Sequence, residues 1–309
     1  MHETRRHYNA SRRKGECAVF GPFVVLYLFL GGCSAGVLLV SSLWSFAFHL
    51  GTDRTRPETD AFRALRNRSF AVGFVVACLA ALCLLADLGR PERFVLLFLR
   101  PSATSVIAFG TFVLAGMIAV SGFLAIANNF YAPRVSARMK AAAEIICAIL
   151  AVAVMTYTGV YLQSTKAVAF WDTLLVPILF VLSAVSSGVA IVVILAAFMR
   201  DSWRIDFGLI RLHGIHIVVL VLEAFALAAF AYVSATGRGE APSSLALLFV
   251  GDLRVWFVGG VCIAGIIVPL GSEIICALLR RTRTFPLPDA LCLFGGYALR
   301  YCLVAAGLH

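Results

Sequence analysis

Long apolar runs fill most of this chain, and short polar segments separate them. Eight runs are each long enough to cross a membrane, since a spanning helix needs about 20 predominantly apolar residues. They cover residues 20–48, 69–88, 103–128, 141–163, 172–199, 211–236, 254–279 and 287–306. Because the runs are continuous rather than alternating, they predict helices and not barrel strands. The sequence therefore predicts an all-α polytopic membrane protein with eight transmembrane helices.

Composition supports the same class: 61% of the 309 residues are hydrophobic, 14% are charged, and the mean hydropathy is +0.94. The formal net charge of +10 is expected to come from loops that meet anionic membrane lipid, so it predicts no nucleic-acid partner. Basic residues precede the first run, as in an export signal. That run is longer than the roughly 7 to 15 apolar residues of a signal peptide, so we interpret it as the first helix.

Lysine and arginine in the loops predict the orientation. We define face A as the membrane side of both termini and face B as the opposite side. The loops on face B carry more of these residues than the loops on face A, although the N-terminal tail of residues 1–18 is itself basic. Because cytoplasmic loops are enriched in lysine and arginine, face B is predicted to be cytoplasmic and both termini to lie outside.

Three polar side chains interrupt the runs close to face A. Tyr27 lies early in the first run, Asp87 ends the second, and Tyr157 lies near the end of the fourth. We expect them to surround one small site. The simpler interpretation of Asp87 is a helix-end ion pair, whereas a carboxylate beside a ligand could exchange protons. Tyr161, four residues after Tyr157, shares its helix face and is also typical of an interfacial anchor.

Small residues follow Tyr27 on the first helix. Gly32 and Gly36 are four positions apart, a spacing typical of close helix packing. The functional interpretation is that the groove beside Gly31 and Gly32 admits a flat ring. In the last run, Arg300 must find a partner or reach face A, and Asp87 is a candidate partner.

An internal repeat agrees with the helix count. Residues 30–40 align without gaps on residues 182–192, with identities at one Leu, one Ser, one Gly and two Val positions. The first and fifth helices both run from face A to face B. A duplicated four-helix unit explains the match, although small and aliphatic letters also recur by chance in membrane helices.

Ionisable residues enter the helices from face B. They are His49, Glu144, His213, His216, Glu223 and Glu273. At about 100° per residue, the three on the sixth helix fall on one stripe. Such groups cost about 2.5 to 3.5 kcal/mol each in a membrane, and they usually mark a pathway or face the bundle interior. A proton route and structural interhelical hydrogen bonds are the two interpretations.

Nine cysteines are present, eight of them inside apolar runs, and no pair has CxxC spacing. We interpret them as buried small apolar side chains. The chain is therefore expected to hold no metal, iron–sulfur cluster or structural zinc of its own.

Several segments together resemble the NrfD-type (NrfD/PsrC) polysulfide reductase membrane subunits, which interact with quinone. The segments are Tyr27-Leu-Phe-Leu-Gly-Gly-Cys-Ser-Ala-Gly36, Asp87-Leu-Gly-Arg-Pro91, Tyr157-Thr-Gly159, Phe170-Trp171-Asp-Thr with Pro177, and Gly295-Gly-Tyr-Ala-Leu-Arg300-Tyr301. They occur in the order of that family and cover most of the chain.

The resemblance implies two four-helix bundles, which places them at residues 19–165 and 166–309 after the N-terminal tail of residues 1–18. It implies a bound quinone, menaquinone rather than ubiquinone, in the first bundle near the outer face of a bacterial or archaeal cell membrane. It also implies a ferredoxin-like iron–sulfur partner subunit and a molybdopterin-type catalytic subunit. The chain would then be the quinone-reacting subunit of a larger enzyme and not a catalyst alone.

The resemblance also implies residue roles. Tyr27 and Tyr157 are expected to hydrogen-bond the quinone carbonyls, while Asp87, Arg90 and Arg300 fall on motif positions. The resemblance implies that the polar residue at the position of Tyr27 varies between family members, and a phenol keeps its proton up to a pH of about 10. Asp87 is therefore the better candidate for proton exchange, and we predict Asp87 and Tyr157 as the reactive pair.

Three other functions remain open from the sequence. A secondary transporter would place its substrate near the midplane between broken helices. A dihaem cytochrome would need histidines that face each other from different helices, whereas His213 and His216 share one helix. A membrane anchor without quinone binding is the third.

Overall fold

The structure is a computed structural model that describes residues 21–49, 55–88, 106–130, 134–165, 168–237, 239–279 and 286–308. Its helices are α1 (Pro22–His49), α2 (Arg56–Leu88), α3 (Val106–Asn129), α4 (Ala137–Gln163), α5 (Leu175–Ala197), α6 (Asp206–Thr236), α7 (Ala241–Phe249), a π-helix (Val255–Ile267) that continues as α8 (Val268–Leu279), and α9 (Leu287–Gly307). A single 3₁₀ turn, Ser202–Ile205, precedes α6 in the described part of the protein.

Eight of these segments are long and apolar enough to cross a membrane, which confirms the predicted number of spans and the all-α class. The protein is thus an integral, multi-pass membrane protein. The apolar runs predicted the intramembrane part of each helix better than its ends. Helix α2 begins at Arg56, well before the predicted residue 69, because its first turns are charged and a hydropathy pattern detects only the membrane part.

Among the described elements, the 3₁₀ turn, α7 and the π-helix were not predicted. Helix α7 occupies the loop between the sixth and seventh spans on face A and packs on α6 and α9. The first half of the seventh span is a π-helix, in which each N–H bonds five residues back. Its Gly265 lies directly against Gly295 of α9, so the two backbones approach closely where neither residue has a side chain.

Helices α1 and α5 form the centre of the molecule. Helix α1 packs against α2, α4, α5 and α9, and α5 packs against α4, α6 and α9. The central crossing is at Gly36 and Gly188, whose backbones touch. These two glycines are aligned with each other in the internal repeat, so equivalent positions of the two halves meet. The division into a tail and two four-helix bundles stays a prediction.

The segment between α4 and α5 fixes the C-terminal end of α9. Trp171 is completely buried, and its indole Nε1 donates a hydrogen bond of 2.8 Å to the carbonyl of Leu303. A Cβ atom at Gly307 would collide with the same indole ring. The Phe170 ring packs edge-on against Phe230 of α6, 5.1 Å between centroids. These contacts hold the face A ends of α6 and α9 to the start of α5.

Candidate functional site

The beginning of α1 and the end of α2 meet at face A, as the sequence predicts. A methyl group added at Gly21 would lie 3.0 Å from Oδ1 of Asp87, which places the carboxylate directly beside the first residues of α1. Asp87 is exposed at this end of α2. Arg90, the next predicted site residue, lies outside the described residues.

Tyrosines from α1 and α4 converge below this carboxylate. Tyr27 and Tyr157 are only 2% and 5% exposed, and their phenol groups are neighbours. Among the described residues, the Tyr27 hydroxyl makes no hydrogen bond of ordinary geometry. The Tyr161 ring lies 6.2 Å from that of Tyr157, centroid to centroid, and close enough to Asp87 for the carboxylate to act on it electrostatically. We call Tyr27, Asp87, Tyr157 and Tyr161 the tyrosine site.

A glycine on α3 makes room for the Tyr157 ring. Any Cβ at Gly110 would overlap that ring, so the phenol lies flat against the α3 backbone. On α4 itself, Gly159 lies against the backbone of Pro177 and lets α4 approach α5 closely. The ring of Tyr157 is therefore held directly against the α3 backbone on one side.

The two glycines predicted to accept a flat ring have different surroundings. Among the residues that the structure describes, a methyl group at Gly31 would come within 4 Å of the Tyr27 ring only, at 3.9 Å, whereas one at Gly32 would lie 2.6 Å from Nη2 of Arg300. The guanidinium of Arg300 thus fills the space beside Gly32. A role of either glycine in quinone binding stays a prediction.

Arg300 does not pair with Asp87, the partner that the sequence suggested. It is completely buried, and its Nε donates to the carbonyl of Leu28 at 3.1 Å. Its Nη1 donates to the Ser183 hydroxyl at 3.2 Å and to the carbonyl of Gly296 at 2.7 Å. Because a buried guanidinium needs several acceptors, the arginine is held in the interior rather than drawn to face A.

The ionisable residues predicted on face B form two separate groups. In the first, Glu144 of α4 forms a buried ion pair with Arg66 of α2, with 3.4 Å between Oε1 and Nη1. His49 is exposed and lines the same polar cavity of about 620 Å³, together with Asn67 and Asn128. This group lies between the face B ends of α1 to α4.

The second group lies among α5, α6, α8 and α9. His213, His216 and Glu223 are all buried on one stripe of α6, which confirms their predicted common face. Glu273 of α8 lies between the two histidines: its Oε2 is 2.6 Å from Nδ1 of His213, and its Oε1 is 2.9 Å from Nδ1 of His216. Asp289 of α9 is buried beside them.

The second group has the donor atoms that a cation would use. Ligand atoms of His216, Glu273 and Asp289 lie within 4.8 Å of one another. Both oxygens of Glu273 already contact imidazole nitrogens. We therefore interpret the group as a buried cluster of ionisable side chains in contact with one another, and the predicted absence of metal stays a prediction.

Sequence reasoning missed several members of these sites. Gly110 and Arg66 were not singled out, and neither were Ser183, Ser186 and Asp289. A usable signal existed for Ser186, because the repeat aligns it with Ser34. Gly110 and Arg66 matter only because of the residue that each contacts on another helix, and a single sequence does not reveal such contacts.

The fold and these buried polar groups define a helical integral membrane protein. It has a tyrosine-lined site at one face and a buried cluster of ionisable side chains behind that site. Comparison with known families then assigns the protein. Its residues 11–309 match the family described as "Polysulphide reductase, NrfD", and the chain belongs to that family. This confirms the resemblance that the sequence motifs indicated.

Similar proteins match along nearly the whole length. Protein NrfD of Escherichia coli is 29% identical over 308 residues, which cover 92% of this chain and 93% of that protein. The C subunit of polysulfide reductase from Wolinella succinogenes is 26% identical over 312 residues, covering 92% of each protein. A Haemophilus influenzae protein named as an NrfD homolog is 24% identical over 308 residues, again with 92% coverage of each protein.

Proposed function

We propose that this protein is the quinone-reacting membrane subunit of a respiratory oxidoreductase complex. One observation carries the proposal: two buried phenols from different helices, Tyr27 and Tyr157, are neighbours near face A, and an exposed carboxylate, Asp87, lies beside the start of α1. A quinone head group is a flat ring with two oxygens, so it needs donors from different directions. The Tyr27 hydroxyl, which lacks a well-formed hydrogen bond among the described residues, fits that need.

The protein's own residues would bind and orient the ring between α1, α2 and α4. A bound quinol supplies two electrons and two protons when it is oxidised. Tyr27 and Tyr157 would donate hydrogen bonds to the two oxygens and keep the ring in one orientation. Asp87 is exposed, so its carboxylate would accept protons and pass them to water at face A. The same groups serve the reverse reaction, with protons taken up through Asp87.

The electrons would pass to a partner subunit on face A. One relative is named as a lettered subunit of polysulfide reductase, so that enzyme has further subunits. By analogy, we propose a ferredoxin-like iron–sulfur subunit docked over the tyrosine site and a molybdopterin-type catalytic subunit beyond it. Face A would be the outer face of the cell membrane, and menaquinone is the favoured quinone.

Replacement of Tyr157 by phenylalanine tests the site. The ring still fills the space beside Gly110, so the complex should assemble, while the lost hydrogen bond lowers quinol-linked electron transfer. A hydrogen bond worth up to about 1.5 kcal/mol corresponds to about tenfold in kcat/KM. The measurement is quinol oxidation by the purified complex with an artificial electron acceptor.

The matched control is Tyr232→Phe, because Tyr232 lies on the outer surface of α6 and is 71% exposed. It should leave the rate unchanged. An unchanged rate in Tyr157→Phe would remove Tyr157 from the site.

A second test moves the tyrosine without changing it. In Gly110→Ala the added methyl group overlaps the Tyr157 ring, so the ring must shift away from α3. We expect quinol-linked electron transfer to fall about tenfold or more, since misplacement by about 1 Å can cost a hundredfold. Quinol oxidation is measured as for Tyr157→Phe.

Gly116→Ala on the same helix is the control, because its methyl group would make ordinary contact with Leu150 at 3.5 Å. Equal activities of the two alanine variants would contradict a role for the Tyr157 position.

A further inference from the structure

A series of polar side chains in contact, which we call the relay, runs from His213 near face B to Arg300 in the interior of the protein. It lies in the second half of the protein, behind the tyrosine site. It begins near face B with His213, which is 6% exposed, and with the fully buried pair Glu273 and His216. Intramembrane ionisable groups are costly unless they are paired or functional. Helix packing alone therefore does not explain why three such groups are buried in direct contact with one another.

The relay continues from α6 to α5 through a serine. His216 contacts Glu273 with Nδ1 at 2.9 Å and the Ser186 hydroxyl with Nε2 at 3.2 Å, so both ring nitrogens are engaged. An imidazole in this position can take a proton on one nitrogen and release one from the other. Cys292 of α9 lies 3.1 Å from the same hydroxyl.

The inner part of the relay is formed by Glu223 and two serines. The carboxyl of Glu223 lies close to the hydroxyls of Ser186 and Ser183 and interacts with both. A small internal gap borders these three residues together with Cys292. Residues 213 and 223 are ten positions apart on one helix, so the relay advances about 15 Å into the membrane.

The relay ends at Arg300, whose Nη1 donates to Ser183 at 3.2 Å. This guanidinium is also electrostatically coupled to Glu223 and lies over the rings of Phe29 and Phe180 at 5.8 Å and 5.2 Å. The Cys33 thiol of α1 faces it as well. Arg300 contacts α1 at Leu28, the residue after Tyr27.

We propose that this relay conducts protons between face B and the protein interior, with Glu223 as the inner proton acceptor. Every group from Glu273 to Glu223 can both accept and donate a proton, so a proton passes from the Glu273–His213–His216 group through Ser186 to Glu223. No bond other than O–H and N–H forms or breaks. Arg300 keeps its charge and ends the path as a fixed cation beside Glu223. The inference goes beyond the proposed function and does not depend on quinone binding.

The test follows the protonation of Glu223 in the full-length protein, purified into lipid nanodiscs. Time-resolved infrared spectra after a pH jump record the C=O stretch of its protonated carboxyl, and Glu223→Gln identifies that band by its loss. In Ser186→Ala the link from His216 is missing, so the band should appear at least tenfold more slowly. Ser186→Thr retains a hydroxyl and should restore the rate.

Ser34→Ala is the matched control. Ser34 is buried at the equivalent repeat position on α1, but its hydroxyl donates to the carbonyl of Gly73 at 2.8 Å, away from the relay. Its rate should equal that of the unmodified protein. Glu144→Gln provides a second control, because Glu144 pairs with Arg66 in the other group on face B.

Two outcomes would overturn the proposal. Equal protonation rates in Ser186→Ala and in the unmodified protein would show that the contacts are structural. A stoichiometric metal ion in the purified protein, lost in Glu273→Gln, would identify the outer part as a metal site. Loss of quinol oxidation in Tyr157→Phe bears on neither outcome, so the two proposals fail independently.

Discussion

Replacement of Gly36 by leucine is expected to prevent most of the protein molecules from folding stably. A methyl group at this position would collide with the carbonyl of Ala184 and lie 3.1 Å from the Cα atom of Gly188. Both contacts are with backbone, so no side-chain rotation relieves them. Overpacking a fixed site costs up to about 3 kcal/mol, and separating α1 from α5 adds the loss of their packing. The measurement is the fraction that remains monodisperse in detergent after graded heating.

Gly214→Leu is the matched control for this prediction. Gly214 lies on the outer surface of α6, and a methyl group there meets no described residue within 4 Å. This variant should melt at the temperature of the unmodified protein. Equal melting of the two leucine variants would contradict a tight crossing at Gly36.

Replacement of Arg300 by methionine is expected to have the second largest effect. Methionine has a similar length but donates none of the three hydrogen bonds, and it leaves Glu223 without the cation that faces it. Each buried acceptor that loses its donor costs about 1 to 3 kcal/mol. The melting temperature in detergent should fall by several degrees or more.

A double variant separates the charge from the packing. Combining Arg300→Met with Glu223→Gln removes the unpaired carboxylate, so part of the lost stability should return. Glu144→Gln serves as the control partner, since Glu144 pairs with Arg66 and should not rescue Arg300→Met. Additive losses in both double variants would contradict coupling between Arg300 and Glu223.

The sequence alone predicted the features that depend on one helix at a time. Apolar length gave the eight spans, and helical periodicity put His213, His216 and Glu223 on one face of α6. The end of α2 at face A followed from Asp87 and the apolar run before it. Each of these depends on local physics, so no partner helix was needed.

The sequence predicted that Tyr27, Asp87 and Tyr157 meet at face A, but it did not reveal most specific contacts between helices. The sequence around Arg300 does not show whether its partner is Asp87 or, as in the structure, Ser183 and backbone carbonyls. Likewise, Glu144 was grouped with Glu273, although Arg66 on α2 places it in a separate cavity. The π-helix also has the composition of an ordinary span, because an i to i+5 hydrogen-bond pattern changes no residue type.

The hydrogen bond from Arg300 to Leu28 joins residues 272 positions apart. Ribosomes synthesise the N-terminal segment first, so α1 enters the membrane long before its acceptor carbonyl meets that donor. The bond forms only once α9 has been inserted. The interior around Arg300 therefore closes late in biogenesis, after all the helices that surround it have entered the membrane.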